Sequence, residues 1–356
     1  MSMLNPDARA SQRLFRGAFP VVCFLLAGLI SGSAPADDDI ATDWFRQRMG
    51  LRNSTARDNG DMINVVRPLT ESVKPSVVQV LCGGRPVALG TVVGADGYIL
   101  TKRSELSGDP IRVRFSDSRV LPARVAVVRR RNDLALLKVN TADDLKPIAI
   151  VGITPRIGSF VISPGRRGQP VGIGVLSVKA RRVDHNGRLG VLLDDAYADQ
   201  ALVRGVWPKS GADSAGVKPG DRIVAINDEQ KTSRESVIQT LHNMFPGENV
   251  RLTIVRKGDT LNLDAGIREL DILQETENDS KVNGPRSARL SGFQSVIQHD
   301  TVLDPDECGG PLLNSAGKAI GLNIARAGRV MTYALPGSLI ISEMLEMLQQ
   351  ARASDQ

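Results

Sequence analysis

The chain has 356 residues, 42% apolar and 24% charged, which suits two or three globular domains and excludes a disordered polymer. Only 4% are aromatic, and of the net charge of +6 residues 1–36 supply +2 (Arg9, Arg13 and Arg16 against Asp7), leaving a mild +4 scattered over the rest; no nucleic-acid partner is expected. No apolar run reaches the roughly 18 residues of a bilayer span, so no integral span is expected once the leader is removed.

Residues 1–36 have the shape of an export signal. Three arginines precede the apolar stretch Ala18 to Ile30, and small residues end in Ala34-Pro35-Ala36 before Asp37-Asp38-Asp39. A charged start, an apolar middle and an A-x-A end predict cleavage after Ala36 and a destination in the periplasm or cell envelope. An uncleaved anchor is the alternative, but the stretch is short for one. Cleavage removes Cys23 and leaves Cys82 and Cys308, too few for a disulfide framework. Whether those two pair stays open.

Residues 37–68 read as a polar linker entering a short helix, Met62 to Val73, with Ile63, Val66 and Leu69 at helical spacing. Strands follow: Ser76–Leu81, Leu89–Val93, Tyr98–Thr101 after the turn Asp96-Gly97, Ile111–Phe115, Arg124–Val128 and Leu134–Val139. Six short strands in about 65 residues predict a small antiparallel barrel. A second strand-rich run begins near Ile148, clearest at Ser159–Ile162 and Gly172–Val178. From Gly187 the texture changes to strands, the turn Pro219-Gly220-Asp221 and one helix, Ser233 to Phe245, ended by Pro246-Gly247. Residues 269–287 are polar and read as a linker. Strands resume at Phe293–Ile297, then at Ala319–Ile324 and Val330–Ala334, and an amphipathic helix, Ser338 to Gln350, closes the chain.

Three motifs in order carry a family resemblance. They are Asp96-Gly97-Tyr98-Ile99-Leu100-Thr101 with Asn132-Asp133-Leu134-Ala135-Leu136-Leu137-Lys138; then Leu189-Gly190-Val191 with Ala215-Gly216-Val217-Lys218-Pro219-Gly220-Asp221; then Cys308-Gly309-Gly310-Pro311-Leu312-Leu313-Asn314. The chain resembles the HtrA-type (DegP, Do-like) trypsin-fold serine proteases with a PDZ domain, over nearly everything from residue 70 to 343. The resemblance implies a mainly β fold: a trypsin-like double β-barrel with the PDZ domain inserted in the second barrel. The implied division is 69–184 for barrel 1 and the start of barrel 2, 185–268 for the PDZ domain, and 269–287 for a linker. Residues 288–343 would complete barrel 2, and 344–356 would hold the end of the last helix and a tail. In the family the PDZ domain usually follows a complete protease, so the insertion is a departure; it is physically acceptable where domain ends lie close together.

Serine proteolysis needs a nucleophile, a base, a carboxylate that orients the base and an oxyanion hole. The resemblance places the carboxylate at Asp133, which is intact. It places the base at Ser104, where the family has histidine, and a serine hydroxyl is no base near neutral pH. It places the nucleophile at Cys308 and the oxyanion-hole glycine at Asp306. Asp304, Asp306 and Glu307 predict a raised thiol pKa at Cys308. The only conceivable substitute base near it in sequence is His299; His185 and His242 lie elsewhere.

The PDZ part keeps its machinery. A peptide-binding groove needs a carboxylate loop, here Leu189, Gly190 and Val191, and an apolar helix face, here Val237, Ile238 and Leu241. The expected partners are peptide or protein C-termini and unfolded proteins. The resemblance also carries the expectation of a homo-trimer. No metal spacing or cofactor fingerprint is present, and Gly172-Ile173-Gly174 is part of a strand, so none is expected. The favoured function is a pseudoprotease that binds peptides in envelope protein quality control; the alternative is an active endopeptidase using Cys308.

Overall fold

A computed structural model describes residues 59–141 and 143–354. The export signal, its cleavage site and most of the expected linker lie outside the described residues. The first described element is helix α1, Gly60–Val73. The Asn59 side chain caps it, accepting from the Met62 amide at 2.9 Å. Its buried stripe is Val66, Thr70 and Val73, at helical spacing.

Six strands close the first barrel: β1 Val77–Cys82, β2 Arg85–Val92, β3 Tyr98–Lys102, β4 Ile111–Arg114, β5 Val120–Arg129 and β6 Leu134–Val139. Their order around the barrel is β1-β2-β3-β6-β5-β4. Small and β-branched side chains such as Val78, Val80, Val92, Ile99 and Val113 fill the interior. The second barrel starts with β7, Phe160–Pro164, and β8, Pro170–Val183.

The chain then leaves the barrel and builds a separate sheet. Its strands are β9 Gly187–Arg188, β10 Val191–Leu193, β11 Ala201–Val206, β12 Arg222–Ile226, β13 Glu229–Gln230, β14 Asn249–Arg256, β15 Asp259–Gly266 and β16 Arg268–Glu269. The main order is β10-β11-β12-β14-β15, with β10 at an edge, and β9 pairs with β16. Helix α2, Arg234–His242, packs on it and buries Val237 against Leu189, Val203, Ile223 and Ile254. A reciprocal Ser233/Ser236 capping box starts α2.

The second barrel is completed by β17 Phe293–His299, β18 Pro311–Asn314, β19 Ala319–Gly328 and β20 Met331–Pro336, in the order β17-β20-β19-β18-β7-β8. Val183 at the end of β8 is paired with Phe293 at the start of β17, so the inserted domain leaves and re-enters at neighbouring points of one ladder. That adjacency is what lets a barrel accept an insertion without opening. Helix α3, Gly337–Ser354, runs past both predicted ends and seats Ile340, Met347 and Leu348 in a core shared with Leu100, Leu134, Leu322 and Leu335. This apolar core, separate from the first barrel's own interior, joins the two barrels to the helix.

The expected linker 269–287 departs from that reading. It holds two short helices, Leu270–Leu273 and Glu277–Asn283, and its last residue, Ser287, is fully buried. Helix α1 likewise runs through the boundary drawn at residue 68, with Pro68 inside it.

One carboxylate fastens the inserted domain to the first barrel. Glu248, 4% exposed, accepts from Arg130 Nε and Nη2, both at 2.6 Å, and lies 3.1 Å from Arg103 Nη1. It also accepts the Phe245 amide at 3.0 Å. Burial raises its pKa, but the two arginines and the amide outweigh that and hold it below the usual glutamate range. A depressed carboxylate contributes stability that is complete above the unfolded value, near 4.3, and is lost as pH falls through the lower folded value. Glu248→Gln is expected to cost about 1–2 kcal/mol at pH 7 by urea unfolding. The gap between wild type and variant should close as pH falls below about 4; a gap that stays constant down to pH 3 would contradict the ion-pair account.

Candidate functional site

Asp133 follows a single 3-10 turn, Arg130–Asn132, and takes a left-handed backbone conformation (φ 57°). Its side chain is fully buried. Ser104 satisfies it twice: the amide donates to Oδ1 at 2.9 Å and the hydroxyl to Oδ2 at 2.7 Å. Burial pushes the Asp133 pKa up, opposed by the charges of Arg289 and Lys102 and by the Ser104 hydroxyl. Ser104 is half-buried and stands in hydrogen-bonding contact with the carboxylate.

Two parts of the same chain cover this spot. Gly247 of the inserted domain packs on Ser104: a methyl group placed on Gly247 would stand 2.9 Å from Ser104 Cβ. Ser287, at the returning end of the expected linker, accepts a hydrogen bond from Lys102 Nζ at 3.0 Å and bonds the Cys308 thiol.

Cys308 is fully buried. Its loop is stitched to the first barrel, with the Leu89 amide donating to the Cys308 carbonyl at 2.8 Å and Thr91 Oγ1 to the Gly309 carbonyl at 3.3 Å. Gly309 is required there: φ is +100° and a Cβ would meet the Leu89 carbonyl oxygen at 2.1 Å. The Cys308 amide donates to the Pro305 carbonyl at 3.3 Å. Asp306 sits in the 3-10 turn Pro305–Glu307 that makes this contact. An amide already spent within its own turn does not point at a developing oxyanion.

The Cys308 thiol pKa is pushed up to about 11, and the cause differs from the expected acidic cluster. Burial is the largest contributor; Lys102 opposes it and Glu105 adds to it. The Asp304 carboxylate is instead paired with Arg326 at 2.8 Å, and only its carbonyl reaches the sulfur, at 3.8 Å. Lys102, which sequence reading missed, is also fully buried. Burial lowers its pKa, but Glu105 at 3.0 Å, with Cys308 and Asp133, carries it above the ordinary lysine value. The signal was there: a lysine extends the apolar run Tyr98–Thr101, with a glutamate three residues on. Cys82 and Cys308 are both free thiols, so the bridge left open above does not form.

None of the three histidines takes up the base role. His299 Nε2 donates to Asn323 Oδ1 at 3.0 Å, and its Nδ1 lies 2.8 Å from the Thr301 hydroxyl. Asn323 is held in that orientation by its amide nitrogen donating to Ser163 Oγ at 2.9 Å, which puts the imidazole proton on Nε2. With both ring nitrogens engaged, no Cys308/His299 pair forms. His185 Nε2 donates to the Met244 carbonyl and its ring stacks edgewise on Phe245. His242 lines the PDZ-like groove.

That groove is a cavity of about 430 Å³ between β10 and α2. Leu189, Gly190 and Val191 line one end; the Leu189 and Gly190 carbonyls are tied back by the Ala212 and Trp207 amides, and Gly190 needs its φ of +90°. Ile238 and Leu241 line the helix side. Val237 does not: it is fully buried in the domain core. One helical step of about 100° separates Val237 from Ile238, and the groove stripe is Arg234, Ile238, Leu241 and His242, at i, i+4, i+7 and i+8. Arg234 and Trp207 were not anticipated; that helical spacing could have found Arg234.

The PDZ domain family matches residues 173–267. A probable periplasmic serine endoprotease DegP-like from Hahella chejuensis is 25% identical over 270 residues, 51% of this chain and 56% of its own length. The serine endoprotease DegS of Salmonella typhimurium is 30% identical over 139 residues, 37% of this chain and 39% of its own. The chain carries a PDZ domain and is similar, over part of its length, to HtrA-type serine endoproteases. It is also 21% identical over 299 residues, 81% of its length, to a probable membrane transporter protein MamO of Paramagnetospirillum magneticum, and covers 31% of that protein. The chain spans about half or less of the length of these HtrA-type relatives. No helix among the described residues is long and apolar enough to cross a membrane.

The His299 pKa is pushed down to about 4 by burial. Its ring protons should show no chemical-shift titration by NMR between pH 8 and 5.5, while an unfolded control titrates near 6.5. An inflection above pH 6 that is lost in Cys308→Ala would contradict the placement and restore the dyad.

Proposed function

We propose that this chain is an exported, proteolytically inactive HtrA-type factor that binds peptide or protein C-termini through its PDZ groove, in protein quality control of the cell envelope. The observation that carries the reading is the Ser104–Asp133 pair. The carboxylate that would orient a base holds a hydroxyl instead, at 2.7 Å. A hydroxyl there cannot take a proton from Cys308 near neutral pH. Loss of a triad member costs about 10⁴–10⁶ in rate. Burial of Cys308, which itself raises the thiol pKa, and the commitment of its amide to the Pro305 carbonyl support the same conclusion.

Binding is supported by the groove itself. An extended peptide can add to the free edge of β10, with its terminal carboxylate at the Leu189-Gly190 turn and alternate side chains against Ile238 and Leu241. The periplasmic names of the DegP-like relatives support export.

Two measurements test the proposal. Unfolded casein incubated with the purified chain should stay intact; cleavage that iodoacetamide blocks and Cys308→Ala abolishes would establish the endopeptidase instead. A fluorescent peptide with a free C-terminus should bind, and its C-terminal amide should not; equal binding of the two would refute C-terminal recognition.

A further inference from the structure

A second cavity, of about 200 Å³, lies where the inserted domain joins the barrels. Three parts of the chain wall it: Arg131 from the 3-10 turn of the first barrel, Val183 and Gln294 from the crossing of β8 and β17, and His242, Asn243 and Phe245 from the end of α2. Ligand sites form preferentially at such junctions.

The walls are fixed. Asn132, fully buried, accepts the Gln294 amide at 3.1 Å and donates to Glu343 at 2.7 Å. The Arg131 carbonyl accepts from buried Arg289 at 2.8 Å. His185 is a partition rather than a ligand group: Nε2 is bonded to the Met244 carbonyl, Nδ1 lies 3.4 Å from the Gly187 amide, and the ring meets Phe245 edgewise. Walls already held in place lose little freedom when a ligand enters.

The lining is one-sided in charge. No carboxylate is part of it, whereas the guanidiniums of Arg131 and Arg182 are. Arg131 is exposed and has no acidic partner among the described residues. Arg182 Nε lies 3.0 Å from Asp184, but that pair is 70% and 89% exposed and neutralises little. Amide side chains add neutral donors. Gln294 Oε1 accepts from Asn132 Nδ2 at 3.4 Å, which leaves Gln294 Nε2 to donate. The last carbonyls of α2, which would repel an anion, are taken up by the Asn243 and Met244 amides. Two guanidiniums with amide donors match an oxyanion carrying more than one charge. At about 30 Å³ per water the cavity is several waters in size, larger than a bare phosphate. Val183 and Phe245 make the remaining wall apolar.

We propose that this junction cavity binds a small phosphate monoester, its phosphate held by Arg131, Arg182 and Gln294 and its organic body against Val183 and Phe245. His242 is the common wall between this cavity and the peptide groove, but the site stands whether or not the groove takes peptides.

Isothermal titration calorimetry on the full chain, in phosphate-free buffer, tests this with phenyl phosphate, inorganic phosphate, benzoate and phenol. Phenyl phosphate should bind about tenfold more tightly than inorganic phosphate or benzoate, and phenol should give no heat. Arg131→Gln should weaken phenyl phosphate about tenfold while keeping the wild-type melting temperature, because the side chain is exposed. Gln294→Ala should weaken it severalfold. No heat from phenyl phosphate, or equal affinity in wild type and Arg131→Gln, would overturn the site. Benzoate binding as tightly would overturn the preference for a double charge, and inorganic phosphate binding as tightly would overturn the role of the organic body.

Discussion

A carboxylate taken fully out of water needs hydrogen-bond donors, and whichever group supplies them fixes what a trypsin-like cleft can do. In this chain the donors for Asp133 are the amide and hydroxyl of Ser104. With the carboxylate so satisfied, nothing holds an imidazole beside Cys308. The room a ring would need is also used: Gly247 packs on Ser104, and Ser287 bonds both Lys102 and the thiol. Cys308 is then a small buried side chain at the seam between two barrels. Its sulfur is kept protonated chiefly by its own burial.

The insertion ties the groove to this seam through short links. Helix α2 ends at His242, and three residues on Phe245 packs against the guanidinium of Arg289, 4.1 Å from its ring centre. Arg289 is fully buried and braced on the carbonyls of Arg131, Ser291 and Gly292. Glu248 follows, gripping Arg103, the residue before Ser104, and Arg130, three residues before Asp133. One face of the PDZ domain is therefore committed to the barrels, while the β10 edge and the groove stripe of α2 stay available.

Local pattern made much of the architecture legible. Alternation at Ile111, Val113 and Phe115, the Asp96-Gly97 turn and the Pro246-Gly247 breaker located strands and ends within a few residues, because sterics and burial act over short spans. What escaped depends on contacts far apart in sequence. Residues 269–287 look polar throughout, yet Ser287 is buried because Lys102 and Arg326 meet it from distant strands. The acidic residues near Cys308 were legible, but Arg326 takes up Asp304, and burial, which no local pattern reports, dominates the thiol. Val237 was assigned to the groove by apolarity alone. The correct face needed the helical phase, and the charged Arg234 on that face was passed over.

The claim that this cleft lacks a proton acceptor is tested most directly by the pH dependence of Cys308 alkylation in the folded chain, followed by peptide mapping. The account predicts a slow rate at neutral pH that rises only in the alkaline range, consistent with a thiol pKa of about 11. A plateau reached below pH 8, abolished by substituting any histidine, would contradict it.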